Sequence, residues 1–353
     1  MERGARGVGE NVLEAIAGAL RIDPSVLLED RERARSQLQQ AIPALSAAIA
    51  TYDIPDDGPV RPMQELRAMV DDAVGWRLAA QYVQIIRHLP DLLAELFRAF
   101  HSAPPGNRQE MARLVVSACR SADAVAYKIG SYDLSARLVD LIRWAAPHAQ
   151  DEVLDATVAY VRTETFFAAQ AHAAGLRALE RAIDVAPRTD QVEALASRGA
   201  LHMRAAVIAG RALNATASET HLAEARRLGD QILEGVYDGT AFGPSSVRIH
   251  EVSVAVSLGS DHVTRALDVA RKWAPPHDLP AERRSGFYIE LGRAQLWAGL
   301  PDDAFESLKV ARKIAPQHTR DHRWVREDAA TLRRLKRADA ESLTNFAEWC
   351  NAT

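Results

Sequence analysis

The chain of 353 residues is 48% hydrophobic and 25% charged, a composition ordinary for a globular protein and long enough for two domains or one repeat array. Its net charge of −4 excludes a globally basic nucleic-acid binder. Because the two cysteines are far apart and no apolar run approaches the ~20 residues of a membrane span, we expect a reduced, cytoplasmic protein that does not enter a membrane.

Two short helices are predicted near the start of the chain. Apolar residues recur on one helical face at Leu13, Ile16, Ala17 and Leu20. Asp23 is then suited to be the N-cap, and Pro24 the first residue, of a second helix. Because residues 1–30 hold three arginines against six acidic residues, this segment gains little from contacts with phosphates.

Residues 31–61 are predicted to form a connector helix and linker, and residues 62–350 a succession of helices, with no convincing strand alternation. Val252–Gly259 is rich in β-branched residues, but its helical neighbours favour a buried helix. Turn-forming residues separate the helices at 53–59, 101–107, 186–190, 238–246, 274–280 and 299–303. Short turns between helices predict antiparallel helical hairpins and therefore an all-α fold.

One of these predicted hairpins, Ser285–His318, resembles a tetratricopeptide (TPR) repeat. It has the 34-residue length of that repeat. Leu291 and Gly292 match the pair that lets two helices approach closely, and Ala304 matches the small residue where the helices cross. Gly299 stands where the first helix of the repeat ends.

Prolines that follow amphipathic helices suggest further copies of this unit. They occur at Pro147, Pro187, Pro275 and Pro316. The first two are 40 residues apart and the last two 41, so the turns would be longer than in a strict TPR. A TPR-like array implies a solenoid whose first helices line a concave groove for peptides, partner helices or small ligands. The competing interpretation is that proline simply stops each helix.

The first 29 residues resemble the C-terminal half of an Xre/Cro-type helix-turn-helix domain. The residues that match this family are Glu2, Arg3, Gly4, Ile16, Ala17, Leu20, Asp23, Pro24 and Leu28. The half without a counterpart here holds nearly all of the recognition helix, which enters the major groove of DNA. We therefore assign residues 1–30 as a helix-turn-helix remnant and expect no sequence-specific DNA binding by residues 1–353 alone.

A second resemblance runs from about Asn107 to Leu335 and is clearest after Thr240. This part is similar to the sensor half of actinobacterial Xre-type regulators with TPR-like C-terminal domains. The resemblance implies a cytoplasmic transcription regulator that acts as a homodimer on DNA. Ser246 and Glu290 stand where that family usually has Asn and Asp. If these positions contact the ligand, the ligand of this protein would differ from that of its relatives.

The sequence is compatible with two functions. In the first, the TPR-like domain senses a peptide, small molecule or partner protein and controls DNA binding through a population shift. DNA binding would then require a complete helix-turn-helix domain upstream of Met1. In the second, the protein is a truncated scaffold or antagonist that acts through protein–protein contacts.

The phase of the repeats predicts which side chains face the groove. The candidates are Arg120, Tyr127, Tyr160, Glu164, Phe167, His202, Arg204, Arg248, His250, Arg293 and Trp297. Their mixture of aromatic and charged groups suits a peptide or a polar small molecule. The alternative is that the aromatic residues pack between repeats and the arginines are solvated or paired within the protein.

We predict neither catalysis nor a bound metal or cofactor. Glu164 lacks a paired acid or base, and the sequence has no glycine-rich phosphate loop or nucleophile elbow. His318 and His322 have the spacing of two metal ligands on one helix, but no acidic or cysteine cluster completes a site. We expect both histidines at the solvated start of a helix.

Overall fold

A computed structural model of the chain describes residues 42–335 and 340–352. These residues form an all-α fold apart from one two-stranded sheet. The predicted helix-turn-helix remnant at 1–30 lies outside the described residues. Among the helices that the structure does describe, none combines the length and apolar character that crossing a bilayer requires.

The elements are numbered here in chain order. The helices are α1 (42–50), α2 (Met63–Leu78), α3 (Tyr82–Ser102), α4 (Pro105–Lys128), α5 (Tyr132–Ala145), α6 (Glu152–Ala168), α7 (His172–Val185), α8 (Val192–Arg211), α9 (Ala215–Gly229), α10 (Pro244–Leu258), α11 (Val263–Lys272), α12 (Ala281–Trp297), α13 (Pro301–Ile314), α14 (Pro316–Asp321), α15 (Arg323–Leu335) and α16 (Ala340–Trp349). Strands β1 (Gly235–Tyr237) and β2 (Thr240–Phe242) pair antiparallel, with Gly235 opposite Phe242.

Consecutive helices contact each other as pairs. The pairs are α4 with α5, α6 with α7, α8 with α9, α10 with α11 and α12 with α13. In the last pair, a Cβ built at Gly292 would lie 3.2 Å from the carbonyl oxygen of Ala304, which is fully buried. The predicted close approach of these two helices is therefore confirmed, while the assignment of the whole array as TPR-like stays a prediction.

At five places in the described chain, two helices are joined by a short turn of the same kind. Each turn has one residue in the left-handed conformation, namely Ala80, Gly130, Gln170, Leu213 and Gly299. At the last turn, Gly299 N donates to Leu296 O at 3.1 Å and Leu300 N donates to Gln295 O at 2.9 Å. These bonds satisfy carbonyl groups that the end of a helix leaves open. The turns at 80, 130, 170 and 213 were not predicted, because three of the four have no glycine.

The segment around the small sheet differs from the prediction in one respect. The predicted buried helix at Val252–Gly259 is confirmed, since α10 extends to Leu258 and buries Val252 and Val254. The preceding segment was predicted as a turn only, and it contains a β-hairpin. Strands of three residues are too short to show alternation in the sequence.

The described part of the predicted connector packs on the helical body. Leu45 and Ile49 of α1 are buried in the main hydrophobic core, which runs from α1 to α10. Just after α1, the ring of Tyr52 lies 4.9 Å from that of Trp144 in an edge-to-face arrangement. A second core joins α12 and α13 to α15 and α16.

Candidate functional site

A cavity of about 390 Å³ lies between the first helices of the five hairpins, α4, α6, α8, α10 and α12. Residues of α2, α3, α14 and the start of α15 complete its wall, whereas the second helices contribute only Tyr132 at the start of α5. This volume falls within the ~300–1,000 Å³ of small-molecule sites. The first helices therefore line a common internal space, as the hairpin phase predicts.

Seven of the eleven predicted groove residues line this cavity. They are Arg120, Tyr127, Tyr160, Glu164, Phe167, Arg204 and His250. Three of them, Tyr160, Glu164 and Phe167, lie on α6 at spacings of four and three residues, which place them on one helical face.

Four predicted residues lie outside the cavity lining. His202 and Arg248 each precede a cavity residue by two positions, and because successive helical residues are about 100° apart, they point to the opposite side. Instead, His202 Nδ1 contacts His221 Nδ1 at 3.0 Å, and the Arg248 guanidinium lies 5.8 Å from the ring of Trp273.

Arg293 and Trp297 lie farther along α12 than the cavity. Arg293 Nη2 donates to Glu327 Oε2 at 2.8 Å, and its guanidinium lies 5.3 Å from the ring of Trp297. Trp297 itself is 40% exposed. Both residues predicted on α12 therefore lie beyond the end of the cavity, where Arg293 pairs with Glu327 of α15.

Several charged or polar residues of the wall were missed from the sequence. They are Arg77, Tyr82, Asp123, Lys128, Arg211, Glu282, Arg283, Glu290, His318 and His322. For Glu282, Arg283 and Glu290 the signal was present, since they share one face of α12. Arg77 and His318 come from α2 and α14, outside the five hairpins, and no local pattern places them here.

Three guanidinium groups surround the ring of Tyr160, and together with Arg77 we call them the arginine cluster. Arg283 Nη2 donates to Tyr160 Oη at 2.9 Å, and the guanidinium groups of Arg204 and Arg120 lie 4.5 and 5.9 Å from the ring centroid. Arg77, the fourth member, lies beside Arg120. Burial acts to raise the pKa of Tyr160, but Arg204, Arg283 and Arg120 outweigh it and lower the pKa to about 8.

Two members of the cluster hold the tip of the β-hairpin. Arg77 Nη2 donates to Gly239 O at 2.8 Å, and Arg120 donates to Asp238 O at 2.6 Å and to Thr240 Oγ1 at 2.5 Å. Burial and the neighbouring Arg120 lower the pKa of Arg77 to about 9. The hairpin thus lies against a strongly positive wall of the cavity.

Positive charge in the cavity is only partly neutralised. Arg204 Nη2 pairs with Glu164 Oε1 at 3.1 Å and Lys128 Nζ pairs with Glu282 Oε1 at 3.0 Å. Within the part of the chain that the structure describes, no carboxylate lies within ion-pair distance of Arg77, Arg120 or Arg283; the groups that they contact are carbonyls and hydroxyls. Buried charges without counter-charges are costly to a folded protein, so this arrangement suits an anionic ligand.

Acidic groups occupy another part of the wall. Asp123 is 1% exposed and accepts a hydrogen bond from Ser135 Oγ at 2.6 Å. Burial, followed by the nearby Glu164 carboxylate, raises the pKa of Asp123 well above its usual range. Burial also raises the pKa of Glu290 to about 7, although Ser253 donates a hydrogen bond to it.

Three polar atoms of the wall are buried without a hydrogen-bond partner among the described residues. They are Arg77 Nε, Tyr82 Oη and Glu164 Oε2. Such groups are rare in folded proteins and are normally paired, with protein, water or ligand. Because each of these atoms has almost no accessible surface, a ligand in the cavity would reach it only if the wall shifted.

The prediction that His318 starts a solvated helix is wrong. His318 is 2% exposed, and its Nε2 lies 3.1 Å from Lys128 Nζ, a donor. Its Nδ1 lies 2.7 Å from Ser285 Oγ, which itself donates to Glu282 O. We therefore assign the neutral tautomer with the proton on Nδ1. Burial and the Lys128 ammonium lower the pKa of His318 to about 3.

A His318→Asn variant is expected to lose less stability on mild acidification than the wild type. In the wild type, between pH 6.5 and about 3, His318 takes up a proton in the unfolded chain but not in the folded protein. The contribution of neutral His318 to stability is therefore fully present above pH 6.5 and is lost as the pH falls toward 3. Between pH 7.5 and 5.5 this loss is about 1.4 kcal/mol, which the Asn variant would not show. Urea unfolding at both pH values measures it. The exposed His262, changed to Asn as a control, should leave the pH dependence unaltered, and an unaltered His318→Asn profile would contradict the assignment.

The geometry also tests two other sequence hypotheses. The described residues contain no group of three His, Cys, Asp or Glu side chains arranged to hold a metal ion. Ser246, one of the two positions that depart from the resembled family, is outside the cavity: its Oγ donates to Glu234 Oε1 at 2.5 Å, next to the start of α10. Glu290, the other such position, lines the cavity.

Comparison of the chain with models of known protein families gave no match, and comparison with curated proteins gave no similar protein. The function is therefore argued from the cavity and its residues.

Proposed function

We propose that residues 62–350 form the sensor domain of a transcription regulator of the Xre/Cro type, and that the central cavity binds its effector. The observation that carries the proposal is the cavity itself, whose wall holds three buried arginines with no carboxylate at ion-pair distance in the described chain. A protein that needed this space only for packing would be more stable with apolar side chains there. Polar groups kept at such a cost are typical of binding sites.

The size of the cavity favours a small molecule over a peptide or a partner protein. Its volume of about 390 Å³ suits a compact ligand, and its lining residues come from helices on several sides. An extended peptide would need an open groove along the repeats. Among the effectors that the sequence leaves open, we therefore favour a polar small molecule.

The regulatory part of the proposal rests on the resemblance of residues 1–29 and 107–335 to Xre-type regulators. In a chain with an intact helix-turn-helix domain, the effector would act by favouring one arrangement of the sensor, and thereby change the affinity for DNA. A ligand in the cavity would touch five hairpins at once. Its contacts would therefore differ between two arrangements of the sensor, which such a shift requires.

Filling the cavity tests the binding function without any assumption about ligand chemistry. Gly286 lines the cavity, and a Cβ built there meets no heavy atom closer than 3.9 Å. We expect Gly286→Leu to fold normally and to weaken effector binding at least about tenfold, through loss of ~1.4 kcal/mol or more. Native mass spectrometry of protein exposed to the small-molecule fraction of a cell extract measures retention of the ligand.

Gly75→Leu is the matched control, because Gly75 is exposed on α2 and a Cβ there meets nothing within 4 Å. The control should retain the same ligand as the wild type. Equal retention by Gly286→Leu would show that the ligand binds elsewhere, and retention of no small molecule by the wild type would favour the scaffold hypothesis.

A further inference from the structure

We infer that the effector is a small organic phosphate, a phosphomonoester, whose phosphoryl group binds at the arginine cluster beside Tyr160. The inference rests on the proposed effector-binding function of the cavity and adds the chemical class of the ligand. Three observations carry it: the positive charge of the wall, the grouping of its guanidinium donors, and the polar and aromatic residues in the rest of the wall.

The three arginines without an ion-pair partner favour a ligand with more than one negative charge. Arg204 is neutralised by Glu164, and Lys128 by Glu282. Arg77, Arg120 and Arg283 have no carboxylate at ion-pair distance in the described chain. A monocarboxylate would leave two of these three cations uncompensated, whereas a phosphomonoester brings about −1.5 to −2 charges at neutral pH.

Within the cluster, Arg77 lies close to Arg120, and Arg120 and Arg283 lie beside the same tyrosine ring. A Cβ built at Gly239 would lie 2.7 Å from Arg77 Nη2 and 3.2 Å from Arg120 Nη1, so the two guanidinium groups meet at one point of the hairpin tip. Arg120 and Arg283 both border the Tyr160 ring. Three guanidinium forks present more N–H groups than two carboxylate oxygens accept. The three terminal oxygens of a phosphoryl group match them better.

Some N–H groups of the cluster have no hydrogen-bond partner or bond only to uncharged acceptors. Arg77 Nε is buried without a partner, and the other bonds of Arg77 and Arg120 go to the uncharged groups of the hairpin tip. A phosphate oxygen is a stronger acceptor than a carbonyl for a charged donor, because both partners are ionised. Phosphate binding would therefore gain energy at these arginines.

The remainder of the ligand would be a polar organic group that carries hydrogen-bond donors. Glu164 and Glu290 contribute carboxyl groups to the wall, and such groups accept hydrogen bonds. Tyr127, Phe167 and Trp324 contribute aromatic rings to the same wall. Both a hydroxylated sugar and a nucleoside would satisfy this wall, and the phosphomonoester is the chemistry that they share.

Isothermal titration calorimetry of the full chain tests the inference with defined probes. The probes are inorganic phosphate, a set of sugar monophosphates, a set of nucleoside monophosphates, their unphosphorylated parents and dicarboxylates of similar size. We expect a monophosphate from one of the two sets to bind, its parent to bind about 10- to 100-fold more weakly, and inorganic phosphate to compete with it. The set that binds identifies the source.

Arginine variants connect that binding to the cluster. Arg283→Gln is expected to weaken binding of the monophosphate about tenfold or more, and Arg283→Lys to restore only part of it, because lysine lacks the planar fork. Arg248→Gln is the control: Arg248 lies beside Trp273, outside the cavity. The thermal midpoint of each variant verifies that it folds.

The outcomes separate this inference from the proposed function. If dicarboxylates or uncharged compounds bind in a way that Gly286→Leu blocks, and no phosphorylated probe binds, the phosphate inference is overturned while the cavity remains the effector site. If phosphorylated probes bind equally to wild type, Arg283→Gln and Gly286→Leu, both proposals are overturned. Failure of inorganic phosphate and every monophosphate to bind also overturns the inference.

Discussion

A Gly199→Ala variant is expected to lose about 3 kcal/mol of its free energy of unfolding, although alanine is the better helix former by ~1 kcal/mol. Gly199 lies on α8 directly against Phe242 of β2, and a Cβ there would overlap the phenyl ring. The ring has no accessible surface, so it cannot rotate aside into solvent. Either the β-hairpin or α8 must move.

This contact matters for the candidate site because it positions the β-hairpin. Phe242 anchors one end of β2 on α8, and the hairpin tip then places its carbonyls against Arg77 and Arg120. A displaced hairpin would release these two bonds. We therefore expect Gly199→Ala to weaken ligand binding as well as the fold.

Gly75→Ala is the matched control for Gly199→Ala. It also lies within a helix, but a Cβ there meets no atom within 4 Å. Its replacement should stabilise the protein by up to ~1 kcal/mol. Equilibrium denaturation by urea measures both variants. A Gly199→Ala protein as stable as Gly75→Ala would show that the hairpin does not pack against α8 in this way.

An Arg77→Met variant is expected to raise the free energy of unfolding of the ligand-free protein by about 2 kcal/mol, while it weakens ligand binding. Burial and the positive charge of Arg120 make the ionised form of Arg77 unfavourable and lower its pKa to about 9. Methionine keeps most of the apolar stem and removes the charge. The one hydrogen bond lost, to Gly239 O, offsets part of the gain.

Arg67→Met on the same helix is the control for Arg77→Met. The Arg67 side chain is 50% exposed and pairs with Glu110 at 3.0 Å, so its removal should change stability by no more than ~1 kcal/mol. If Arg77→Met raises the free energy of unfolding and weakens ligand binding, Arg77 serves the ligand rather than the fold. A destabilised Arg77→Met protein would mean that the hairpin bond outweighs the buried charge.

Most of the fold follows from local pattern. Apolar residues at helical spacing predict the helices, including the β-branched segment at 252–258, because each helix buries one face. The β-hairpin could not be predicted in this way. Its strands have three residues each. One of the hydrogen bonds that hold the hairpin in place joins Gly239 O to Arg77, which lies 162 residues earlier in the chain. Likewise, Ala80, Gln170 and Leu213 adopt the left-handed conformation without the glycine that usually marks it.

Residues of the candidate site could be predicted only where their spacing along a helix places them on the face that lines the cavity. On α6, the spacing of Tyr160, Glu164 and Phe167 placed all three in the cavity. On α8, His202 and Arg204 were both named, although residues two positions apart point to opposite sides of a helix, and only Arg204 lines the wall. His318 was misjudged because the sequence around it is polar, whereas α14 is buried by contacts with α12 and α13.

The most direct test of the account is a crystal structure of the protein with the small molecule that it retains from cells. We predict density for one compact ligand inside the cavity between the first helices, in contact with Arg283 and next to Tyr160. A ligand bound elsewhere, for example beside Trp273, with the cavity filled only by water, would contradict the central claim that this cavity is the effector site.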